Sequence, residues 1–513
     1  MVDSQSDSRS PRIKLRQSSP GGGERRVEDC AVTPAAARLD ALLRLIPLSI
    51  ALVIGTIALV AIHPFGLFGD ELAFYCGSSA LVHGADPYLH ASIFGCERDA
   101  YTPLLGAHHA IKISTPVVWP PYAIVAFAPF AMLPFGAGLA LWLLLNTVAA
   151  ASAARRLCVA LPDISPWLIN ALIGITVLSS GLFYGQPTGI LLLAIVALGS
   201  SYRRRSAPAL AMWLALGAIQ PHVALAGGLA LLVAGGRWAL RPVLGAGLIV
   251  ALLSAFTPAL DLEYVRAVLP AHEAANVLDP WQLAVPSALA QLGLAVPLAV
   301  GAGTLIYLVA LAAAVFLGAA IARRTGRPEA LPWIATLVGT FGAPHVHYQQ
   351  IAAALPAAFL LIGASPAPLL ATICAYGIAI PWGVFCTMRF GWAFAMLPAF
   401  GALRPSLGGV VRVAAVAAAL LCVQIAVAVA FKAFYHPEGP AVFALLPPGA
   451  LAERSWAAYI RWEAPSYTAA LVAARLVTWI SEFGLLVLCV VTACAAGRDR
   501  IARREPVPAR AAV

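Results

Sequence analysis

Two acidic side chains, Asp70 and Glu71, stand side by side a few residues past the first long apolar run of the chain. Ionised groups close to lipid are costly and mark function where they persist. Two chemistries fit the pair. A carboxylate placed near a hydroxyl can take its proton, and a low-dielectric setting lifts its pKa toward neutrality, as a general base requires. The same acids at the start of the Leu72–Val82 segment suit the positive N-terminal end of a helix equally well, as an exposed capping pair. Neighbouring residues on a helix point about 100° apart. One of the two therefore faces a site, and Asp70 is the choice.

A second polar group interrupts the apolar body: His345, His347, Tyr348, Gln349 and Gln350. A His-x-His pair can bind metal, but no third ligand with matching spacing accompanies it. A hydrogen-bonding wall for a polar or phosphate group fits, and so does a structural patch at a helix end. Gln220 and His222 flank Pro221; they read as a ligand wall or as polar glue between helices. Gly84-Ala85-Asp86-Pro87-Tyr88 has turn chemistry and is a surface turn by itself; Tyr88 gains interest from its fixed place after the Asp70 segment. His108, His109, Lys112 and Arg98 could meet a phosphate or lie in solvent.

These residues sit in an unusual medium. Of 513 residues, 61% are hydrophobic and only 11% charged, with mean hydropathy +0.85, where a soluble domain carries about 25% charged residues. The pattern predicts an all-α polytopic membrane protein. The net charge of +10 does not point to nucleic acid, because the basic residues fall in short loops between apolar runs and at the termini, as cytoplasmic retention charges do. Arg203-Arg204-Arg205, Arg237 with Arg241, Arg323-Arg324 with Arg327, and Arg498 to Arg504 anchor the cytoplasmic side. Residues 1–40 read as a disordered cytoplasmic tail, 41–364 as a membrane core including an external loop 65–116, 365–496 as C-terminal spans with an external loop 435–467, and 497–513 as a basic cytoplasmic tail. About 12 to 14 spans of ~20 residues are expected. Val117–Pro134 is the suspected non-crossing run, since tandem Pro120-Pro121 breaks a helix. Two half-length helices are expected to meet near Gln220-Pro221-His222, where non-helical backbone at membrane depth implies a protein-lined or water-filled cavity. Of nine cysteines, none forms a CxxC pair. Cys76 and Cys96 share the first external loop, where they form a disulfide or stay as two thiols. There is no Walker A loop and no GxGxxG after a strand, which excludes a nucleotide-driven pump. The external face carries the polar chemistry.

Taken in order, several short motifs resemble the polytopic glycosyltransferases of the GT-C class, in particular glycosyltransferase family 87. They are Asp70 with Phe74 and Tyr75; Gly84 to Tyr88; Trp119-Pro120-Pro121-Tyr122; Pro129, Leu133-Pro134, Trp142 and Asn146; Gly185-Gln186 opening a span; Gln220-Pro221; and Pro344-His345-Val346-His347-Tyr348. The resemblance covers roughly Leu42 to Leu361. Gln220 stands where the family usually has Lys, and Asp279-Pro280-Trp281-Gln282 stands where the family has an external Asn/Ser-rich motif.

The resemblance implies a GT-C-like bundle in a bacterial plasma membrane, with cytoplasmic termini and an extracytoplasmic site. It implies transfer of mannose or a similar sugar from a polyprenyl-phosphate sugar to a lipid or glycan hydroxyl, with inversion; no cofactor is expected and no metal ligand is assigned. Asp70 is then the base with Glu71 beside it, and Tyr88, Gln220, His222, His345, His347, Tyr348 and Gln349 are the substrate contacts. A transporter or flippase of a lipid-linked or small polar substrate is the alternative, although a transporter would place its acids at the bilayer midplane.

Overall fold

The computed structural model describes residues 69–105, 114–177, 181, 184–279, 282–380, 446–447 and 449–502. The tail 1–40, the first apolar run Ala41–His63, His108, His109, Lys112, Pro280, Trp281, the runs Gly391–Leu403 and Val411–Phe434, and residues 503–513 lie outside them. Among the described residues every regular element is helical; the lone β-bridge pairs Leu89 with Leu451. This is the all-α polytopic architecture expected of the composition.

Among the described residues, four helices are long and apolar enough to cross a membrane: α4 (Phe135–Ala160), α9 (Arg237–Ser254), α13 (Val296–Thr325) and the Arg475–Ala495 portion of α18 (Ala452–Ala502). Shorter apolar helices fill the space between them. Proline sets their lengths, because it is favoured in a first turn and breaks a helix elsewhere. α3 (Pro121–Ala131) opens on Pro121 and spans only 11 residues, ~16 Å of rise against a hydrocarbon core of ~30 Å. α7 (Ala207–Gly217) and α8 (Pro221–Ala234) have 11 and 14 residues and meet at Gln220, so the half-helices expected at Gln220-Pro221 are present. α14 (Ala330–Gly342) and α15 (Tyr348–Ile351) leave a similar reversal over 343–347. One difference concerns the C-terminal span. The apolar run beginning at Thr468 is part of a helix that already starts at Ala452. Its first turn is fixed from outside: the Ala452 amide donates to the carbonyl of Tyr88 at 2.9 Å.

The elements have a common polarity. α6 (Thr188–Arg203) ends where the Tyr202 hydroxyl donates to the carbonyl of Gly235, just past α8. Arg203 pairs with Glu329 at 3.2 Å, ahead of α14. Arg327, past the end of α13, donates to the carbonyl of Ala160 at the end of α4 and pairs with Asp163. Arg155, Arg156, Arg203, Arg323, Arg324 and Arg327 thus gather at one end of the bundle. Asp70, His222, His272 and His347 lie at the other. The main apolar core between the ends is built from α4, α5 (Pro166–Thr176), α6, α14, α16 (Leu355–Ala364), α17 (Pro368–Ala379) and α18.

Candidate active site

Asp70 and Glu71 occupy the first turn of α1 (Gly69–Val82), where acids meet the positive end of the helix. α1 is tied to α2 (His90–Leu105) by the Cys76–Cys96 disulfide. It is packed against α3 by Phe74, whose ring stacks on Trp119 at 3.7 Å. Both acids thus sit at the positive end of one helix.

The two acids have different fates. The Asp70 carboxylate is half-buried, and its Oδ2 accepts a hydrogen bond from Gln186 Nε2 at 2.8 Å. Burial raises its pKa to about 6, and the Gln186 bond pulls it back. Glu71 is fully buried, and neither carboxylate oxygen has a hydrogen-bond partner among the described residues. Burial lifts its pKa to about 8, so at neutral pH Asp70 carries the charge and Glu71 keeps its proton.

Gln186 reaches Asp70 because of a tight turn. Gly185 has φ +74°, and a Cβ there would come within 2.3 Å of Glu71 Cβ. Only glycine combines that backbone with that closeness. Trp142 of α4 donates from Nε1 to the Gly185 carbonyl at 2.6 Å, and Asn146 Oδ1 accepts from the Gly189 amide at 3.2 Å. Trp142, Asn146, Gly185 and Gln186, scattered in sequence, together hold one amide on one carboxylate. The Oε1 of that amide is buried without a partner among the described residues.

Tyr88 supports this half of the site from behind. Its ring is fully buried and its hydroxyl donates to the carbonyl of Trp119 at 2.9 Å. The turn before it is closed by the Tyr88 amide donating to Asp86 Oδ1 at 2.8 Å. The structure thus gives the Tyr88 hydroxyl a backbone partner.

The second half is a histidine group. The His345 ring lies 4.9 Å from His347, 5.0 Å from His272 and 6.0 Å from His222. The Gln282 amide sits among them: Nε2 donates to His345 Nδ1 at 2.6 Å and lies 3.0 Å from His347 Nε2, while Oε1 accepts from the Val346 amide at 3.0 Å. His347 caps α15, exchanging hydrogen bonds with Gln350, and its Nε2 is 3.7 Å from Asp279 Oδ2. Tyr348 and Gln349 are buried on the same turn. His272 is carried on α11 (Leu269–Asn276) beside Asn276, which accepts from Trp456 Nε1 of α18 at 3.0 Å. Burial, reinforced by His347 and His222, lowers the His272 pKa to about 3 and keeps that imidazole neutral. Among the described residues no group of three or more His, Cys, Asp or Glu has an arrangement that could hold a metal ion.

The turn between α7 and α8 joins the two halves. Leu216 and Ile219 pack against the core of Leu72, Phe74 and Trp119, and the Tyr122 hydroxyl donates to Ala218 O at 2.7 Å. Four residues past Ala218, His222 faces His345. Gln220 Oε1 and His222 Nε2 are buried without partners among the described residues. Buried polar atoms are normally satisfied by protein, water or ligand, so this turn presents unfilled hydrogen-bonding capacity between the carboxylate and the imidazoles.

Residues 118–346 match the model of glycosyltransferase family 87. No curated protein and no solved structure matches the chain. The match, with the apolar helices, supports a membrane glycosyltransferase of the family 87 type. The family 87 segment contains Trp142, Gln186, Gln220, His272, Gln282 and His345, whereas Asp70, His347 and Trp456 are contributed from outside it. So is Arg475 of α18, which is buried and donates from Nη1 to the carbonyl of Gln282 at 2.7 Å and from Nη2 to Gln291 Oε1. Trp479, one turn on, donates to Leu283 O at 2.9 Å.

His272, Asn276 and Arg475 were not marked by any motif. The spacing of His272 and Asn276, four apart on a short helix in a polar segment, is the sequence signal that could have found the first two. For Arg475 the signal is an arginine followed by an apolar span.

Proposed function

We propose that this glycosyltransferase takes its sugar from a polyprenyl-phosphate sugar and passes it to a lipid or glycan hydroxyl, on the side of the membrane opposite its arginine-rich end. The reading rests above all on one observation: the Asp70 carboxylate, at the end of the bundle opposite the arginines, is held by Gln186 through a single oxygen. With a pKa of about 6, Asp70 is roughly nine-tenths ionised at pH 7 and well matched to act as a base.

In the proposed reaction the acceptor oxygen attacks the anomeric carbon while its proton passes to Asp70. The bond from that carbon to the phosphate oxygen breaks with its electron pair staying on the phosphate. A single in-line displacement inverts the anomeric centre. Negative charge growing on the leaving phosphate calls for hydrogen-bond donors already in place; His222, His345, His347 and Gln220 are assigned that role, and Tyr348 and Gln349 shape the wall beside them. Glu71, buried and protonated, holds the base's helix turn against Gly185 and does not itself take the acceptor proton. Tyr88 fixes the loop behind Asp70.

The face follows from charge. Arginine-rich loops are retained in the cytoplasm, and they gather at the end of α4 remote from Asp70. The donor class follows from the face, because nucleotide sugars stay in the cytoplasm and a lipid-linked sugar does not. A bacterial plasma membrane and a mannose-like sugar are the corresponding proposals for location and donor.

The test is transfer by purified protein from radiolabelled polyprenyl-phosphate sugars to membrane-lipid acceptors. Asp70→Asn is expected to lose about 10²–10⁴-fold in rate, the usual worth of a positioned base. Equal transfer by wild type and variant would remove Asp70 from the chemistry.

A further inference from the structure

At the arginine-rich end, a cavity of about 260 Å3 is lined by Asp163, Arg324, Thr325, Arg327, Phe359 and Leu360 among others. It is remote from the site above. α4 carries Trp142, which holds the Gly185 turn, and ends at Ala160, whose carbonyl accepts from Arg327; the 18 residues between span ~27 Å of helix.

The cavity has a charged wall and an apolar wall. The charged wall is the end of α13. Its last turn carries Arg323 and Arg324, and Gly326 stops the helix with φ +64°, which turns the chain so that Arg327 joins Arg324 at the cavity. The apolar wall is α16, with Phe359 and Leu360, and Leu161 and Ile164 extend it. Both arginines are anchored. Arg324 Nη1 donates to Thr492 O. Arg327 Nη1 donates to Ala160 O at 3.2 Å and Nη2 pairs with Asp163 at 3.2 Å. A guanidinium has five N–H donors, so each retains donors for a ligand. The Asp163 side chain is 73% exposed; ion pairs this open contribute little, and a better anion can displace the carboxylate.

The position selects the ligand. α13 has the highest mean hydropathy of the four crossing helices, and the arginines follow directly on its apolar stretch, at the depth where a bilayer passes from hydrocarbon to head groups. Basic pockets between spanning helices at that depth bind anionic lipid head groups. We propose that this cavity binds the phosphate of an anionic phospholipid, with Arg324 and Arg327 on the phosphate oxygens and the acyl chains left in the surrounding bilayer. Such a lipid bridges the end of α13, the segment after α4, and α16, three elements on which the basic end depends.

The test uses the full chain in detergent, titrated with phosphatidylglycerol, with phosphatidylcholine and with inorganic phosphate, and read by native mass spectrometry. Phosphatidylglycerol is expected to bind at least about fivefold tighter than phosphatidylcholine, and Arg324→Gln to remove about fivefold, the usual effect of one basic residue at a membrane surface. Asp163→Asn, which removes the competing carboxylate, is expected to tighten phosphatidylglycerol binding. Arg327→Lys keeps the charge and guards against reading a folding defect as lost affinity. Equal binding of the two lipids, or an unchanged affinity in Arg324→Gln, would overturn the site. Binding of inorganic phosphate with no preference between the lipids would overturn the lipid as its source.

Discussion

Glu71→Gln isolates the energetic consequence of the buried carboxyl. Glutamine has nearly the same shape but cannot ionise. In the folded protein Glu71 titrates at about 8, against an ordinary 4.5. The folded-state pKa is the higher one. The carboxyl is therefore tolerated in full below pH 4.5, and stability falls as pH rises from there through 8, because the unfolded chain releases a proton that the folded chain retains. The slope is about 1.4 kcal/mol per pH unit for one such group. Folding at pH 7 thus costs about 3 kcal/mol for protonating Glu71, rising to about 4 kcal/mol by pH 8. Glu71→Gln removes that term. The variant is expected to be more stable than wild type by about 3 kcal/mol at pH 7 and by under about 1 kcal/mol at pH 5. Reversible unfolding in mixed micelles, followed by tryptophan fluorescence from pH 5 to 8, gives the difference directly. Other buried acids, such as Glu453 with its pKa lifted to about 8, act equally on both proteins and cancel. A difference that stays flat with pH, or a variant less stable at pH 7, would refute a protonated Glu71. Transfer activity should survive this change, unlike the loss expected of Asp70→Asn.

Other expectations follow from the same contacts. The acidic limb of kcat/KM should rise with pH through about 6, since the base must be ionised; Gln186→Ala removes the bond that lowers the Asp70 pKa, so the limb should move to higher pH. Gly185→Ala places a Cβ 2.3 Å from Glu71 Cβ on a left-handed backbone and should cost at least about 1 kcal/mol of stability, with transfer falling further as Gln186 leaves Asp70. Arg475→Ala leaves the Gln282 carbonyl and Gln291 without their donor; it should weaken donor binding, seen as a raised KM for the lipid-linked sugar, with Arg475→Lys restoring part of it. An unchanged KM in Arg475→Ala would separate α18 from the histidine group.

Much of this arrangement was legible in the sequence because it depends on local rules. Proline at 121 and 221 predicts short helices, and the structure has them. Cys76 and Cys96 stand out as the cysteines of one polar segment, and the structure joins them. The His345-x-His347 pair announces itself as polar residues among apolar ones. What was hidden depends on contacts between distant segments. His272 gains meaning only when α11 folds under the 343–347 reversal, and Arg475 only when α18 crosses behind Gln282, 193 residues away in sequence. The division between Asp70 and Glu71 was half visible: helix geometry separates their directions, but the Gly185 turn that covers one and the Gln186 amide that grips the other come from a different span.

The common direction of the helices has a consequence for an anionic donor. α6, α8 and α4 all begin at the end that holds Asp70 and His222, and they finish among the arginines. Their peptide dipoles therefore add, each presenting about half a positive charge near its start. A lysine at position 220 would supply positive potential that titrates and depends on how its long side chain is posed. With glutamine there, the attraction for the proposed phosphate donor comes from backbone dipoles, which do not titrate.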